Sequence, residues 1–287
     1  MNVNFNLNRT IGRSGWIAGL AGLTLVSAVG CAGSQDEDDP SVESVASSAL
    51  GSADHTAGSQ IRLHEGTDGP SMESELAAQT PGCDVSGHQG NVNWSSAAGA
   101  GARFAYIKAT EGTSYKNPYF AQQYNGSYNQ GLIRGAYHFA LPNVSSGAAQ
   151  ADFFVNNGGG WSADGKTLPP ALDMEYNPYG ATCYGLSASS MVAWVRDFSN
   201  RVKARTNRYP TIYTSTSWWS QCTGNNGSFG NTNPLWIPRY GSSVGALPAG
   251  WGFHTIWQYA DSGSMPGDQN RFNGAYDRVQ VFARNHD

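Results

Sequence analysis

Charge is scarce in this chain: Asp, Glu, Lys and Arg make up 13% of its 287 residues. That profile, with abundant Gly, aromatic and small polar residues, suits an exported protein with long loops better than a cytosolic helical one. Lys and Arg form no cluster, which excludes a nucleic-acid surface. The four cysteines lie far apart and the six histidines show no ligand spacing, so neither a metal site nor a cofactor is expected. No apolar run is long enough for a comfortable membrane span, and no wall-binding repeat is present.

What is present divides the chain in three. Residues 1–30 read as an export signal, with Arg9 and Arg13 ahead of the uncharged stretch Trp16 to Val29. It ends Ala28-Val29-Gly30-Cys31, which satisfies ordinary signal cleavage and also resembles a bacterial lipoprotein box with Cys31 as the lipidated residue. Secretion and lipid anchorage at the cell envelope are both open, and the anchor is the one membrane contact expected. Residues 31–80 carry ten acidic side chains against the single Arg62, with almost no apolar pattern to offset the entropy of ordering. They read as a disordered, self-repelling tether, with a cleaved pro-segment as the second reading. Residues 81–287 form the folded domain. From Gly82 onward eleven acids face fourteen bases, a small positive excess that favours an anionic polymer. In such a protein Cys183 and Cys222, both in polar loops, are candidates for a disulfide, and Cys83 for a buried free thiol.

Within the domain, strand-like runs alternate with helical patterns. Strands are expected at Cys83–Ser86, Phe104–Thr110, Ile133–Leu141, Leu168–Glu175, Thr211–Thr214, Leu235–Tyr240 and His254–Tyr259. Several are continuous apolar runs, as parallel strands buried on both faces require. The clearest helix spans 187–203, where Met191, Trp194, Val195, Phe198 and Val202 share a face. The fold class is α/β: a modified (β/α) TIM-like barrel, irregular in its second half, where the last two strands lack intervening helices.

Such barrels put their chemistry at the C-terminal ends of the strands. Six strands here end in polar or acidic residues, among them Asp84-Val85-Ser86, Thr110-Glu111-Gly112, Tyr137-His138-Phe139 and Asp173-Met174-Glu175. Asp173 and Glu175, two apart on a strand, leave one face roughly 6.6 Å apart. Repulsion at that spacing raises one pKa and leaves the other group ionised, the pairing of acid and base that glycosidic cleavage needs.

These motifs together carry a resemblance. Asp84-Val85-Ser86-x-x-Gln89-Gly90, Lys108-Ala109-Thr110-Glu111-Gly112, Tyr137-His138-Phe139, Asp173-x-Glu175, Trp257-Gln258-Tyr259 and Asp268-x-Asn270-x-Phe272 look like glycoside hydrolase family 25. The match runs from Gly82 to about Phe282. The resemblance implies an enzyme of the Chalaropsis type, an N-acetylmuramidase acting on the glycan strands of peptidoglycan, and a monomer is expected. It also implies net retention and, from the segments around Thr182–Leu186 and Trp218–Cys222, the Cys183–Cys222 bridge.

The residues and the resemblance agree on Glu175 as general acid, with Asp173 and Asp84 as the remaining catalytic carboxylates. The expected substrate-binding set is Gln89, Glu111, Tyr137, Tyr213, Trp257, Gln258 and Asp268, with Tyr259 among the groove aromatics. His138 reads equally as a core histidine. The i, i+2 spacing itself leaves retention and inversion open. The favoured route uses the substrate's 2-acetamido group as nucleophile, oriented by Asp173. Two alternatives stand: a glycosidase acting on another N-acetylated polymer such as chitin, and a wall-binding module of weak activity.

Overall fold

The computed structural model describes residues 54–66 and 79–284; the expected signal segment and Cys31 lie outside them. Strand β1 (Thr80–Val85) pairs in parallel with β2 (Phe104–Glu111), and β2 with β4 (Ile133–Phe139). Parallel pairing continues through β5 (Ala171–Asp173), β6 (Thr211–Tyr213), β7 (Leu235–Pro238) and β8 (Ile256–Ala260). Strand β9 (Asp268–Phe272) runs antiparallel between β8 and β1 and closes an eight-stranded barrel. The short β3 (Tyr115–Lys116) hangs on the end of β2. The TIM-like class holds, and the last two strands are indeed joined without a helix.

Two expectations about strands need correcting. The run around β9 is not among the expected strands, because Asp268-Gln269-Asn270-Arg271 carries no apolar pattern. Its polar side chains are accommodated because Asp268 and Asn270 point inward and are hydrogen-bonded there. The fourth strand is shorter than expected: Pro169 and Pro170 have no N–H to give a neighbour, so the ladder starts at Ala171. Beyond Asp173 the chain stays extended, and Met174 N–H still donates to the Tyr213 carbonyl at 2.9 Å.

Side-chain alternation separates the inside of the barrel from the outside. Tyr106, Tyr137, Tyr213 and Trp236 meet inside, with Tyr106 stacked on Trp236 at 4.8 Å. Gly135 makes room for that stack, since a Cβ there would lie 2.6 Å from the Tyr106 ring. Outside, helix α5 (Ala188–Thr206) buries the expected Met191, Trp194, Val195, Phe198 and Val202. Ser187 starts it by accepting the Ser190 N–H at 3.2 Å. Full burial of each large apolar side chain contributes about 2 kcal/mol. The other α-helices among the described residues are α1 (Ser59–Glu65), α2 (Trp94–Gly99), α3 (Phe120–Asn129), α4 (Gly147–Asn156), α6 (Thr216–Thr223) and α7 (Tyr276–Arg284). The free thiol of Cys83 sits under α2 with Val85, Ala105 and Ile107.

Helix α1 corrects the picture of an entirely disordered tether. The composition of 31–80 predicts no order because the stretch has little apolar surface of its own. Residues 54–66 are ordered by partners elsewhere in the chain, described next.

Candidate active site

The strand ends at one mouth of the barrel gather Asp84, Asp173, Glu175 and Asp268, all buried. Asp84 closes β1 and Asp173 closes β5, while Asp268 opens β9, whose reversed direction brings its first residue to the same mouth. Gln258 on β8 ties two of them together. Its Nε2 donates to Asp84 Oδ2 at 2.9 Å and to Asp268 Oδ2 at 3.3 Å. Asn270 Nδ2 donates a second bond to Asp84 Oδ2 at 2.6 Å, and Asn270 Oδ1 accepts from Trp236 Nε1 at 2.8 Å. The Tyr213 hydroxyl donates to Gln258 Oε1 at 2.7 Å, and the Tyr240 hydroxyl donates to the same oxygen. Asp173 is different: neither carboxyl oxygen has a hydrogen-bond partner among the described residues.

Crowding and burial shift these acids in one direction. Burial raises Asp173 well above the ordinary carboxylate range, and the neighbouring Glu175 raises it further. Burial likewise raises Asp84, helped by Asp268. Asp268 is pushed up to about 7 by burial, against the pull of Arg62. Burial lifts Glu175 to about 8, although three backbone amides oppose it. Glu111 goes the other way. Its burial is outweighed by Lys108 and His55, and it is held at about 2.

The three amides on Glu175 belong to residues 54–66, which fill the mouth. Gly58 N–H donates to Glu175 Oε1 at 2.8 Å, and Gln60 and Ile61 N–H donate to Oε2 at 2.9 Å each. Ala57 is clamped between the Tyr137 hydroxyl, which accepts its N–H at 3.2 Å, and Gln258 Nε2, which donates to its carbonyl at 3.1 Å. Arg62 pairs with Asp268 at 2.9 Å. The buried Lys108 ammonium pairs with Asp54 at 3.2 Å and Glu111 at 2.6 Å, and donates to the His55 carbonyl at 2.6 Å. Glu65 accepts the Tyr176 hydroxyl at 3.0 Å and also that of Ser215. A cleft of about 380 Å³ remains beside α1, lined by Ile61, Glu65, Tyr176 and Tyr240. The cavity at the far end of the barrel, about 410 Å³ and lined by Arg208, Trp251, Phe253 and Phe282, contains no carboxylate.

Of the residues expected from sequence, Asp84, Glu111, Tyr137, Asp173, Glu175, Tyr213, Gln258 and Asp268 come together here. Gln89 does not serve as expected: its side-chain oxygen accepts the Ser86 N–H at 2.8 Å and caps the turn after β1. Trp257 also falls outside. It flanks the inward Gln258, so alternation turns it outward, where its Nε1 donates to the Arg239 carbonyl and its ring meets Tyr259 at 5.9 Å. Tyr259 goes with it, its ring lying under the Arg271 guanidinium. His138 is a core histidine, bonded to Thr110 at 2.8 Å and Gln150 at 2.9 Å, and burial lowers it to about 4.

Sequence reasoning missed Lys108, Tyr240, Asn270 and Tyr184. Lys108 and Asn270 stand inside motifs already singled out, and that was the available signal. Tyr184 carried none: its backbone is left-handed (φ 59°), and its buried hydroxyl has no partner among the described residues. It directly follows Cys183, whose disulfide to Cys222 is present with Cα atoms 5.3 Å apart. Among the described residues no group of three or more His, Cys, Asp or Glu is arranged to hold a metal ion.

A barrel mouth lined by inward acids, two of them on one strand end, is a site for glycoside hydrolysis. The chain matches the model of the glycosyl hydrolases family 25 over residues 83–268. It belongs to that family. This glycoside hydrolase is 50% identical over 226 residues to Lysozyme M1 of Streptomyces globisporus, covering 77% of this chain and 76% of the relative. It is 52% identical over 206 residues to the N,O-diacetylmuramidase of a Chalaropsis species, covering 70% of this chain and 98% of the relative. The solved muramidase of Acremonium alcalophilum superposes with a TM-score of 0.70 at 57% identity, over 71% of this chain and 99% of that one.

Proposed function

We propose that this family 25 hydrolase is a lysozyme that cuts the β-1,4 bond between N-acetylmuramic acid and N-acetylglucosamine in peptidoglycan, with net retention. Its relatives named as lysozyme or muramidase at half identity support the substrate class. The observation that carries the mechanism is Asp173, a buried carboxyl with both oxygens unpartnered beside Glu175.

Glu175, raised by burial, donates its proton to the glycosidic oxygen as the bond to C1 breaks. The acetamido carbonyl oxygen of the same sugar closes on C1 and forms an oxazolinium ion. Asp173 accepts the acetamido N–H, which orients that oxygen for attack on C1. Water then attacks C1 from the opposite face, giving its proton to the Glu175 carboxylate, and the ring reopens. Two displacements at C1 leave the configuration retained. Asp84 and Asp268, held by Gln258 and Asn270, line the wall of the groove beside the reacting sugar.

We read residues 1–30 as the export signal, so the enzyme works outside the cytoplasm as a monomer, either free or anchored through Cys31. The mass of the reduced mature protein distinguishes the two forms. Digestion of peptidoglycan tests the activity: a new muramic acid reducing end supports the proposal, and a glucosamine end makes the enzyme a glucosaminidase.

A further inference from the structure

We infer that residues 54–66 are a latency segment, an intramolecular competitor that occupies the substrate groove and must leave before a glycan strand can enter. The inference rests on the hydrolase reading of the site above, and it deepens that reading by adding control.

The segment engages the groups the reaction needs. Both oxygens of Glu175 are taken by the amides of Gly58, Gln60 and Ile61. Three donors facing one carboxyl occupy the oxygens through which Glu175 would have to reach a glycosidic oxygen. Asp268 is bound by Arg62, Gln258 by the Ala57 carbonyl, and Tyr137 by the Ala57 amide. The block is therefore steric, and it takes up the hydrogen-bonding groups that a glycan would use.

The fit is specific. Gly58 adopts φ 85°, and a Cβ there would overlap the Tyr240 and Tyr213 hydroxyls and lie 2.6 Å from Gln258 Oε1. Ile61 is 2% exposed in the mouth, whereas Leu63, on the opposite side of the same short helix, is 76% exposed. Ion pairs hold both flanks, the buried Asp54 to Lys108 and the half-buried Arg62 to Asp268. A solvated spacer needs none of these contacts. Because the segment is tethered to the domain, its local concentration at the groove is of order millimolar, so modest intrinsic affinity suffices to keep the mouth closed. Substrate then sees only the open fraction, which raises the apparent KM and leaves kcat unchanged.

The test compares the full exported chain with its Gly58→Val and Ile61→Asp variants on soluble peptidoglycan fragments. Carbodiimide labelling of Glu175 is read by mass spectrometry in parallel. We expect both variants to lower KM by about tenfold or more at constant kcat. We also expect Glu175 to label at least about tenfold faster in the variants, because the parent holds it under the segment. Equal KM and equal labelling in parent and variants would overturn latency. Faster labelling without hydrolysis by any form would leave latency standing and sink the muramidase reading instead.

Discussion

Lys108 and Glu111 form a 2.6 Å ion pair inside the barrel mouth although they stand three apart on one strand. Regular alternation would send them to opposite faces. The register of β2 against β4 slips between Lys108 and Thr110, and that bulge turns Glu111 to the side of Lys108. Both side chains are at most 2% exposed, so neither charge has water to fall back on.

Removing one partner should leave an uncompensated buried charge. We expect Lys108→Met to cost about 3–5 kcal/mol of unfolding free energy, read by denaturant titration. Glu111 adds a pH signature. Its folded pKa of about 2 lies below the unfolded value. The pair therefore stabilises the fold above an unfolded pKa of about 4.3, and the contribution fades as pH falls toward the folded value. At 1.36 kcal/mol per unit it amounts to about 3 kcal/mol. A Glu111→Gln variant that lost stability with acid as steeply as the parent would contradict this origin.

Glu175 should act as a protonated acid. Glu175→Gln should abolish release of reducing ends while leaving the fold intact. Because burial raises this carboxyl, the alkaline limb of kcat/KM should lie above the ordinary glutamate value of about 4.3. A limb at or below that value would remove Glu175 from the role.

The unpartnered carboxyl of Asp173 makes a separate claim. Asp173→Asn should lower kcat about 10²–10³-fold, as loss of one preorganised electrostatic contact does. Substrates without the 2-acetamido group should react as slowly with the parent enzyme. Equal turnover of the two substrate types would exclude acetamido participation.

The strand-end acids were legible because barrel geometry puts functional groups at strand ends, and Asp84, Asp173 and Glu175 are all found there. Lys108 was hidden by the bulge, which no period-two pattern reveals. β9 was hidden because inward polar residues look like a loop until their partners are known. Residues 54–66 were illegible for a more general reason. Composition measures what a segment can bury by itself, and Ile61, Arg62 and Asp54 are held by Glu175, Asp268 and Lys108, which lie far along the chain.

The disulfide should matter for both stability and the site. Cys183 and Cys222 are 39 residues apart, and opening a loop of that size costs about 4 kcal/mol by the chain-entropy relation. The double Cys→Ser variant should therefore melt roughly 8–16 °C lower for a domain of this size. Because Cys183 precedes the left-handed Tyr184, whose buried hydroxyl lies in the field of Glu175 and Asp173, KM should rise in the same variant at temperatures where it is still folded. An unchanged KM would confine the bridge to stability.

Trp257 and Gln258 are neighbours with opposite fates, and together they test which face of β8 serves the site. Gln258 donates to Asp84, Asp268 and the Ala57 carbonyl, so Gln258→Ala strips one donor from Asp84 and removes the tie to Asp268. A buried acceptor losing its donor costs about 1–3 kcal/mol. Expressed in catalysis, that is roughly a 10–100-fold loss of kcat/KM. Trp257 faces outward and spends its Nε1 on the Arg239 carbonyl. Trp257→Phe keeps the apolar ring and loses that one bond, so it should lower stability by about 1 kcal/mol and leave kcat/KM within about twofold. Sugar titrations monitored by fluorescence would detect the reverse arrangement. If Trp257→Phe impaired binding while Gln258→Ala did not, the outward placement of Trp257 would be wrong and the groove would lie on the other face of β8.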